Sequence, residues 1–297
     1  MTFHQLRAFL AVADTHALRA AARVLNVSQP AVSKAMRELE RQLGVTLFER
    51  HTTGVVLTEC GHAFRRRASL LIEEMRRTQE EMDSISAGTA TRLSIAVSSA
   101  LALSVLPRAY ERFREAMPRA QVHFSEGVMP MALAQLRDGT VDFVVAHVLP
   151  GMVGEEFEET HLFSASLVVC ARKGHPLAQE RRLKNLVDAH WLAPGYAEET
   201  GDVLHQVFSL HGLPPPAQPL RCQSFTVALG LLAHTDTLGL IAEPMVRSTL
   251  NAQGIIALKL HEKMPSIAGI VIARKGAALT RSARLFVDCL SESVNQG

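Results

Sequence analysis

The sequence predicts an α+β, multidomain chain, and three observations carry that prediction. Two short amphipathic runs meet at a tight turn near the N-terminus, a heptad-spaced run follows them, and from Arg92 onward apolar strands alternate with helices. At 297 residues the chain has length for two or three units, each able to bury its own core. A hydrophobic content of 47% with 20% charged residues is that of a folded chain.

The first amphipathic helix is carried by Phe3, Leu6, Phe9, Leu10, Val12 and Ala13, whose stripe can cover the two helices that follow. Residues 18–43 read LRAAARVLNVSQPAVSKAMRELERQL. Ala21, Ala22, Val24 and Leu25 form a compact apolar face, and Asn26-Val27-Ser28 turns the chain. Ser28 is placed to cap the next helix, Pro30 suits its first turn, and Val32, Met36, Leu39 and Leu43 recur at the spacing of one buried face. Gly44 is a natural stop. The other face carries Ser28, Gln29, Ser33, Lys34 and Arg37. Two helices crossing at a tight turn, the second with amide, hydroxyl and cationic groups near its start, form a helix-turn-helix that can enter a DNA major groove. From the turn alone, a helical hairpin in an ordinary core reads the same way.

The DNA contacts expected are Gln29 on an adenine edge, Pro30 on a thymine methyl, and Lys34 or Arg37 on guanine or phosphate, with Ser33 beside them. Ser28 serves as cap and phosphate ligand; Arg37, late in the helix, is equally a solvated charge. Leu47-Phe48 and Val55-Val56-Leu57, around the polar stretch Glu49 to Thr53 and Gly54, make two short strands of a wing. Arg50 is its expected phosphate contact, with His51, Thr52 and Thr53 as weaker ones, against the alternative of an unremarkable surface hairpin. Charge agrees with this reading once the chain is divided. Net charge is +2, but residues 1–67 hold ten Lys/Arg against five Asp/Glu, giving +5, and the remainder 21 against 24, giving −3.

Thr58 can cap a long helix with Glu59 in its first turn. Phe64, Ala68, Leu71, Met75, Thr78, Met82 and Ile85 then repeat at alternating spacings of three and four, a heptad seam. Its twin in a second subunit is the economical partner, and a later domain of the same chain is the alternative. Ser86-Ala87-Gly88-Thr89 ends the helix.

Beyond it, LSIAVS is a buried strand, 100–117 one helix with Leu101, Leu103, Leu106, Tyr110 and Phe113 inward, VHFSEG a strand, 129–137 a helix and VDFVVAH a third strand. LVVCAR, WLAPG, LRCQSF, LGLIAEP and IIALKL, separated by helices near 204–210, 227–233 and 244–250, suggest a second α/β unit from about Leu162. IAGIVIAR and the helix 282–290 can return to the first unit, so that two strands cross between lobes. At the junction of the first strand and helix, Ser98, Ser99 and Ala100 offer backbone N–H groups and hydroxyls suited to a carboxylate or sulfonate. Ser98 as a plain cap is the other reading. Gly127, Val128, Met129, His147, Ser224, Phe225 and Thr226 sit at other strand ends and can complete a cleft.

The stretch 18–50, with GVVLTECG after it, closely resembles the N-terminal signature of LysR-type transcriptional regulators, and LPRAYERFREAMP, QLRDGTVDFVVA and TLGLIAEPMV resemble that family's effector domain. The resemblance implies a winged helix-turn-helix at 1–57, a dimerisation helix at 58–88, and a two-lobed α/β effector domain similar to periplasmic solute-binding proteins. Lobe I is then 90–161 completed by 267–297, and lobe II is 162–266. It implies promoter DNA, other copies of the chain in a dimer of dimers, a small-molecule effector and RNA polymerase as partners. LSIAVSSALALSVLP, QLRDGTVDF and CQSF with AHTD are most similar to a regulator of aromatic sulfonate degradation, which makes an aromatic anion the expected effector. One departure concerns the wing: the family carries arginine before its glycine where this chain has Thr53.

Two other classes are weighed. An enzyme finds no G-x-S-x-G elbow, P-loop lysine, G-x-G-x-x-G after a strand or H-E-x-x-H, and the thirteen histidines are dispersed. A solute-binding transport component would need an export signal and would not need residues 1–88. No run approaches the roughly 20 apolar residues that span a bilayer, so a cytoplasmic protein is expected. No cofactor or metal is expected, and Cys60, Cys170, Cys222 and Cys289 are expected as free, mostly buried thiols.

Overall fold

Local capping sets the first three helices. Thr2 and Gln5 form a capping box, Thr2 Oγ1 accepting from the Gln5 N–H at 3.3 Å and Gln5 Oε1 accepting from the Thr2 N–H at 2.7 Å, and so start α1 (Phe3–Thr15). Asn26, with φ of 55°, ends α2 (Leu18–Leu25), and Ser28 caps α3 (Gln29–Leu43), which Gly44 stops at φ of 70°. Leu6, Phe9, Val12, Ala21, Ala22, Val32, Met36 and Leu39 meet in one core. Three residues assigned to its apolar faces lie outside it: Phe3 is 43% exposed, Val24 65% and Leu43 37%. Val24 sits a full 100° around α2 from Leu25, and Leu43 lies in the last turn of α3, beyond the helices it would cover.

The computed structural model describes residues 1–297 except 52–53, 88–90, 128, 149–152, 195–202 and 295–297, and at 50, 80–81, 83–87 and 194 it describes the backbone alone. Strands β1 (Phe48–His51) and β2 (Gly54–Leu57) pair antiparallel as the expected hairpin. Thr58 accepts from the Gly61 N–H at 2.9 Å and starts α4 (Glu59–Ala87), a helix of 29 residues. Its first turns belong to the N-terminal core, which corrects the assignment of Phe64 and Ala68 to a dimer seam. Ala68 is fully buried there, and the Phe64 ring meets Phe9 edge-on at 4.8 Å. An aromatic ring and a methyl already packed inside one domain are withdrawn from a partner. Leu71, Met75 and Met82 stay 43–51% exposed, and the Ile85 side chain lies outside the described ones.

The chain divides into two units, one of Met1–Thr91 with Ala134–Val141, the other of Arg92–Leu133 with Asp142–Gly297. Residues 134–141 join the first for a polar reason. The buried guanidinium of Arg77 donates to the carbonyls of Gly139 and Val141 at 3.1 and 3.2 Å, while Glu73 lies so close to Gly139 that a Cβ there would be 2.8 Å from its Cγ.

In the second unit, β3 (Arg92–Val97) pairs in parallel with β4 (Gln121–Glu126) and with β5 (Phe143–Val148). Between β3 and β4 the expected single helix is two, α5 (Ser99–Ser104) and α6 (Leu106–Ala116), broken at Val105 ahead of Pro107, which has no N–H to continue the ladder. The break leaves Leu101 and Phe113 buried but Leu103 and Tyr110 45% and 36% exposed, against the expected inward set. Helix α7 (Met129–Asp138) follows β4.

The boundary expected at Leu162 falls inside a continuous strand, β6 (Phe157–Arg172), 16 residues long. After it come β7 (His190–Pro194), α8 (Val203–Leu210), β8 (Leu220–Cys222), α9 (Phe225–His234), β9 (Thr237–Ala242), α10 (Glu243–Met245) continuing as a π-turn to Leu250, β10 (Ile255–Ala257), β11 (Ser266–Arg274) and α11 (Arg281–Val294). The sheet runs β4-β3-β5-β11-β6-β9-β7-β8, with β10 on β6. The expected pair of crossing strands is β6 with β11, antiparallel from Ser266↔Ser166 to Arg274↔Phe157. Each lobe has its own core. One gathers Leu93, Ile95, Phe113, Phe143 and Phe286, the other Trp191, Val207, Phe208 and Leu238. Cys170 and Cys289 are buried, Cys60 is exposed and Cys222 is half-buried, so the expectation of buried thiols holds for two of the four.

Candidate DNA-recognition face and effector cleft

Helix α3 divides into a core face and an outer face. Val32, Met36 and Leu39 are buried, while Gln29, Pro30, Lys34 and Arg37 are exposed and Ser33 is half-buried between them. Their positions advance by three and four residues, so they share one side of the helix. Ser28 Oγ accepts from the Ala31 N–H at 3.4 Å, and Pro30 has no N–H, so the first turn of α3 is capped with little left over for a ligand.

Two contacts that the sequence reading missed hold the wing in place. Glu40 Oε1, on α3, accepts from the Leu47 and Phe48 N–H groups at 2.7 and 3.3 Å. His16, the left-handed residue ending α1, gives its carbonyl to the Val55 N–H at 3.0 Å. Gly54 is required there: its φ is +143°, and a Cβ would come within 2.8 Å of the His16 oxygen. Of the wing residues expected to reach phosphate, His51 is exposed beside Glu49 at 3.6 Å. Thr52 and Thr53 lie outside the described residues, as does the Arg50 side chain.

The second site is a cleft of about 580 Å³ lined by α5, the end of β4 and α9. Of the residues proposed for it, Ser99, Phe225 and Thr226 line it. Ser98 stands behind, its N–H donating to the Val145 carbonyl at 2.9 Å; its hydroxyl makes no cap bond and is buried without a partner. Ser224 caps α9 by accepting from the Val227 N–H at 3.3 Å. Ala100 packs into the core beneath α9, Gly127 lies tightly over Ala132, and Met129 begins α7, so none of the three is on the lining. Val128 is outside the described residues.

His147 is also off the lining. Its ring meets Phe163 edge-on at 5.7 Å, Nε2 has no partner, and burial pushes its pKa down to about 4, so it is a neutral side chain and not a cation for an anion to find. Ala102, Leu103, Glu126, Leu229, Gly230, Ala233, His234 and Gln253 complete the lining unforeseen. Half of these come from one stripe of α9, where Thr226, Leu229, Gly230, Ala233 and His234 follow the helical spacing. That period was legible, but α9 is apolar nearly all round, and nothing local says which side is open.

Residues 3–62 match the model of the bacterial regulatory helix-turn-helix protein, lysR family, and residues 86–295 match that of the LysR substrate binding domain. The chain belongs to the LysR family. As a LysR-type chain it is a DNA-binding transcriptional regulator with a domain for small molecules. It is 29% identical over 260 residues to the transcriptional regulator PcaQ of Agrobacterium fabrum, covering 86% of this chain and 83% of that one. It is 26% identical to the regulator GbpR of Azospirillum brasilense, covering 96% and 89%. Two crystal structures share the fold: CbnR, a LysR family transcriptional regulator, with TM-score 0.70 and 22% identity over 99% of both chains, and full-length CbnR complexed with its target DNA, with 0.68 and 24% over 99% and 100%. The narrower likeness to a regulator of aromatic sulfonate degradation finds no support among these relatives.

Proposed function

We propose that this LysR-family regulator binds promoter DNA through the outer face of α3 and the wing, under control of a small anionic effector, an aromatic carboxylate or sulfonate, in the cleft between α5 and α9. The observation that carries this reading is the cleft itself, whose walls combine apolar Leu103, Phe225 and Leu229 with the hydroxyls of Ser99 and Thr226. An apolar crevice with a few polar groups, beyond the C-terminal ends of parallel strands, suits a flat ligand with one polar end. The effector acts by favouring one lobe arrangement over another, and so biases how several copies present their α3 helices to DNA.

The exposed stripe Leu71, Met75 and Met82 of α4 supports a second copy as its cover, and a dimer of dimers as the working form. RNA polymerase is the partner that activation requires. The chain works by binding and not by catalysis, needs no cofactor, and acts in the cytoplasm where its DNA lies. Among the described residues no helix is long and apolar enough to cross a membrane.

A gel-shift titration of the full-length protein on its own upstream DNA, with and without benzoate or toluenesulfonate, tests the reading. A complex whose mobility or footprint changes with one compound supports it. Binding indifferent to every aromatic anion removes the effector class, and no binding at low salt removes the assignment of the α3 face.

A further inference from the structure

The end of the cleft beside α5 is an acceptor surface, which sets a condition on any ligand. Glu126 is the last residue of β4, and its carboxylate accepts the hydroxyl proton of Ser99. With that proton committed, Ser99 presents lone pairs to a further partner, and so does Glu126. Among the described lining residues Glu126 is the only carboxylate and none is Lys or Arg; Thr226, His234 and Gln253 provide the other polar side chains. A carboxylate at the rim of an apolar crevice repels an acid group set beside it and holds a donor there by a charge-assisted hydrogen bond. An anion resting on the hydroxyl of Ser99 would meet the Glu126 charge.

Resting on the reading of this cleft as the effector site, we propose that Glu126 selects effectors that carry a hydrogen-bond donor, an ammonium or a hydroxyl, at the end that meets Ser99, with any acidic group toward Thr226. A plain aromatic acid satisfies half of the cleft, and an amino- or hydroxy-substituted aromatic acid satisfies both ends. Glu126 is thereby the specificity residue of the site.

The experiment is a calorimetric titration of the full-length protein with benzoate, para-hydroxybenzoate and para-aminomethylbenzoate. The two donor-bearing acids are expected to bind about tenfold or more tightly than benzoate, the scale of one hydrogen bond to a charged group. Glu126→Gln keeps an acceptor for Ser99 but adds an amide N–H, and is expected to shrink that preference to about twofold or less. Glu126 is exposed on the cleft rim, so the exchange leaves the fold intact. Equal binding of all three acids by the wild type, an unchanged ranking in Glu126→Gln, or no binding of any of them overturns the inference.

Gly230→Leu separates this from failure of the cleft reading. Gly230 lies on the lining with open space where its Cβ would be, so a leucine there fills the cleft. Binding that survives Gly230→Leu removes the cleft as the effector site. Binding that Gly230→Leu abolishes but Glu126→Gln leaves unaltered in ranking removes the role of Glu126 alone.

Discussion

The recognition face and the effector cleft are built at opposite extremes of sequence locality. Ser28 to Arg37 lie on ten consecutive residues of one capped helix, so their common orientation follows from the helical repeat. The cleft brings Ser99, Glu126, Phe225 to His234 and Gln253 together from both lobes, and their meeting depends on how β6 and β11 cross. A local site tolerates loss of distant contacts and fails by single side chains. A non-local one is sensitive to packing anywhere that sets the angle between its walls.

The largest expected effect exposes the independence of the two regions. A Cβ on Gly61 would lie 2.1 Å from the Leu47 carbonyl oxygen, a backbone atom that cannot step aside. Gly61→Ala is expected to destabilise the N-terminal unit by about 3 kcal/mol or more. Trp191, the single tryptophan, is buried in the other unit. Helical circular dichroism should therefore fall at lower denaturant while Trp191 emission keeps its transition, and a shared shift would show that the units unfold together.

The converse experiment addresses the effector domain by pH. Burial holds the folded pKa of His147 at about 4 against an ordinary 6.5, so the unfolded chain takes up the proton first as pH falls. Stability from this group is present above about pH 6.5, declines between 6.5 and 4, and levels below, a loss on the order of 3 kcal/mol. Trp191-monitored denaturation should show that decline, and His147→Gln should flatten it. A wild-type profile that stays level through this window would contradict the buried, neutral ring.

Smaller effects sharpen the recognition face. Gln29→Ala is expected to cost roughly 2 kcal/mol of operator affinity, and Lys34→Ala to lower the slope of log affinity against log salt by about one if it meets phosphate. Both residues are exposed, so neither variant should move the unfolding midpoint. Ser28→Ala loses a long cap bond and is expected to lower stability by about 0.5 kcal/mol. A larger drop in DNA affinity than in stability for that variant would assign Ser28 a direct phosphate contact.

Legibility followed the same division. The helix-turn-helix, its caps at Ser28 and Gly44, the wing hairpin and the long α4 were all readable, because each rests on residues within a few turns of one another. Val24 and Phe64 mark the limits. Periodicity said that each is apolar on a helix face but not what stands opposite, and the structure exposes the first and buries the second in its own domain. In the cleft, Ser99, Phe225 and Thr226 were found from strand and helix ends. Glu126 was passed over because a carboxylate closing a strand has the local pattern of a solvated end.

By itself the sequence determined where the first four helices and the two wing strands lie, which faces of α3 are apolar, and that the positive charge gathers in the first 67 residues. These are consequences of capping, side-chain period and charge, properties of neighbouring residues. Only the tertiary structure decided that β6 runs unbroken through both lobes, that Arg77 ties residues 134–141 to α4, and that the Ser99 hydroxyl is spent on Glu126. Each of those joins groups 15 to 64 residues apart along the chain, and no local pattern encodes a partner at that distance.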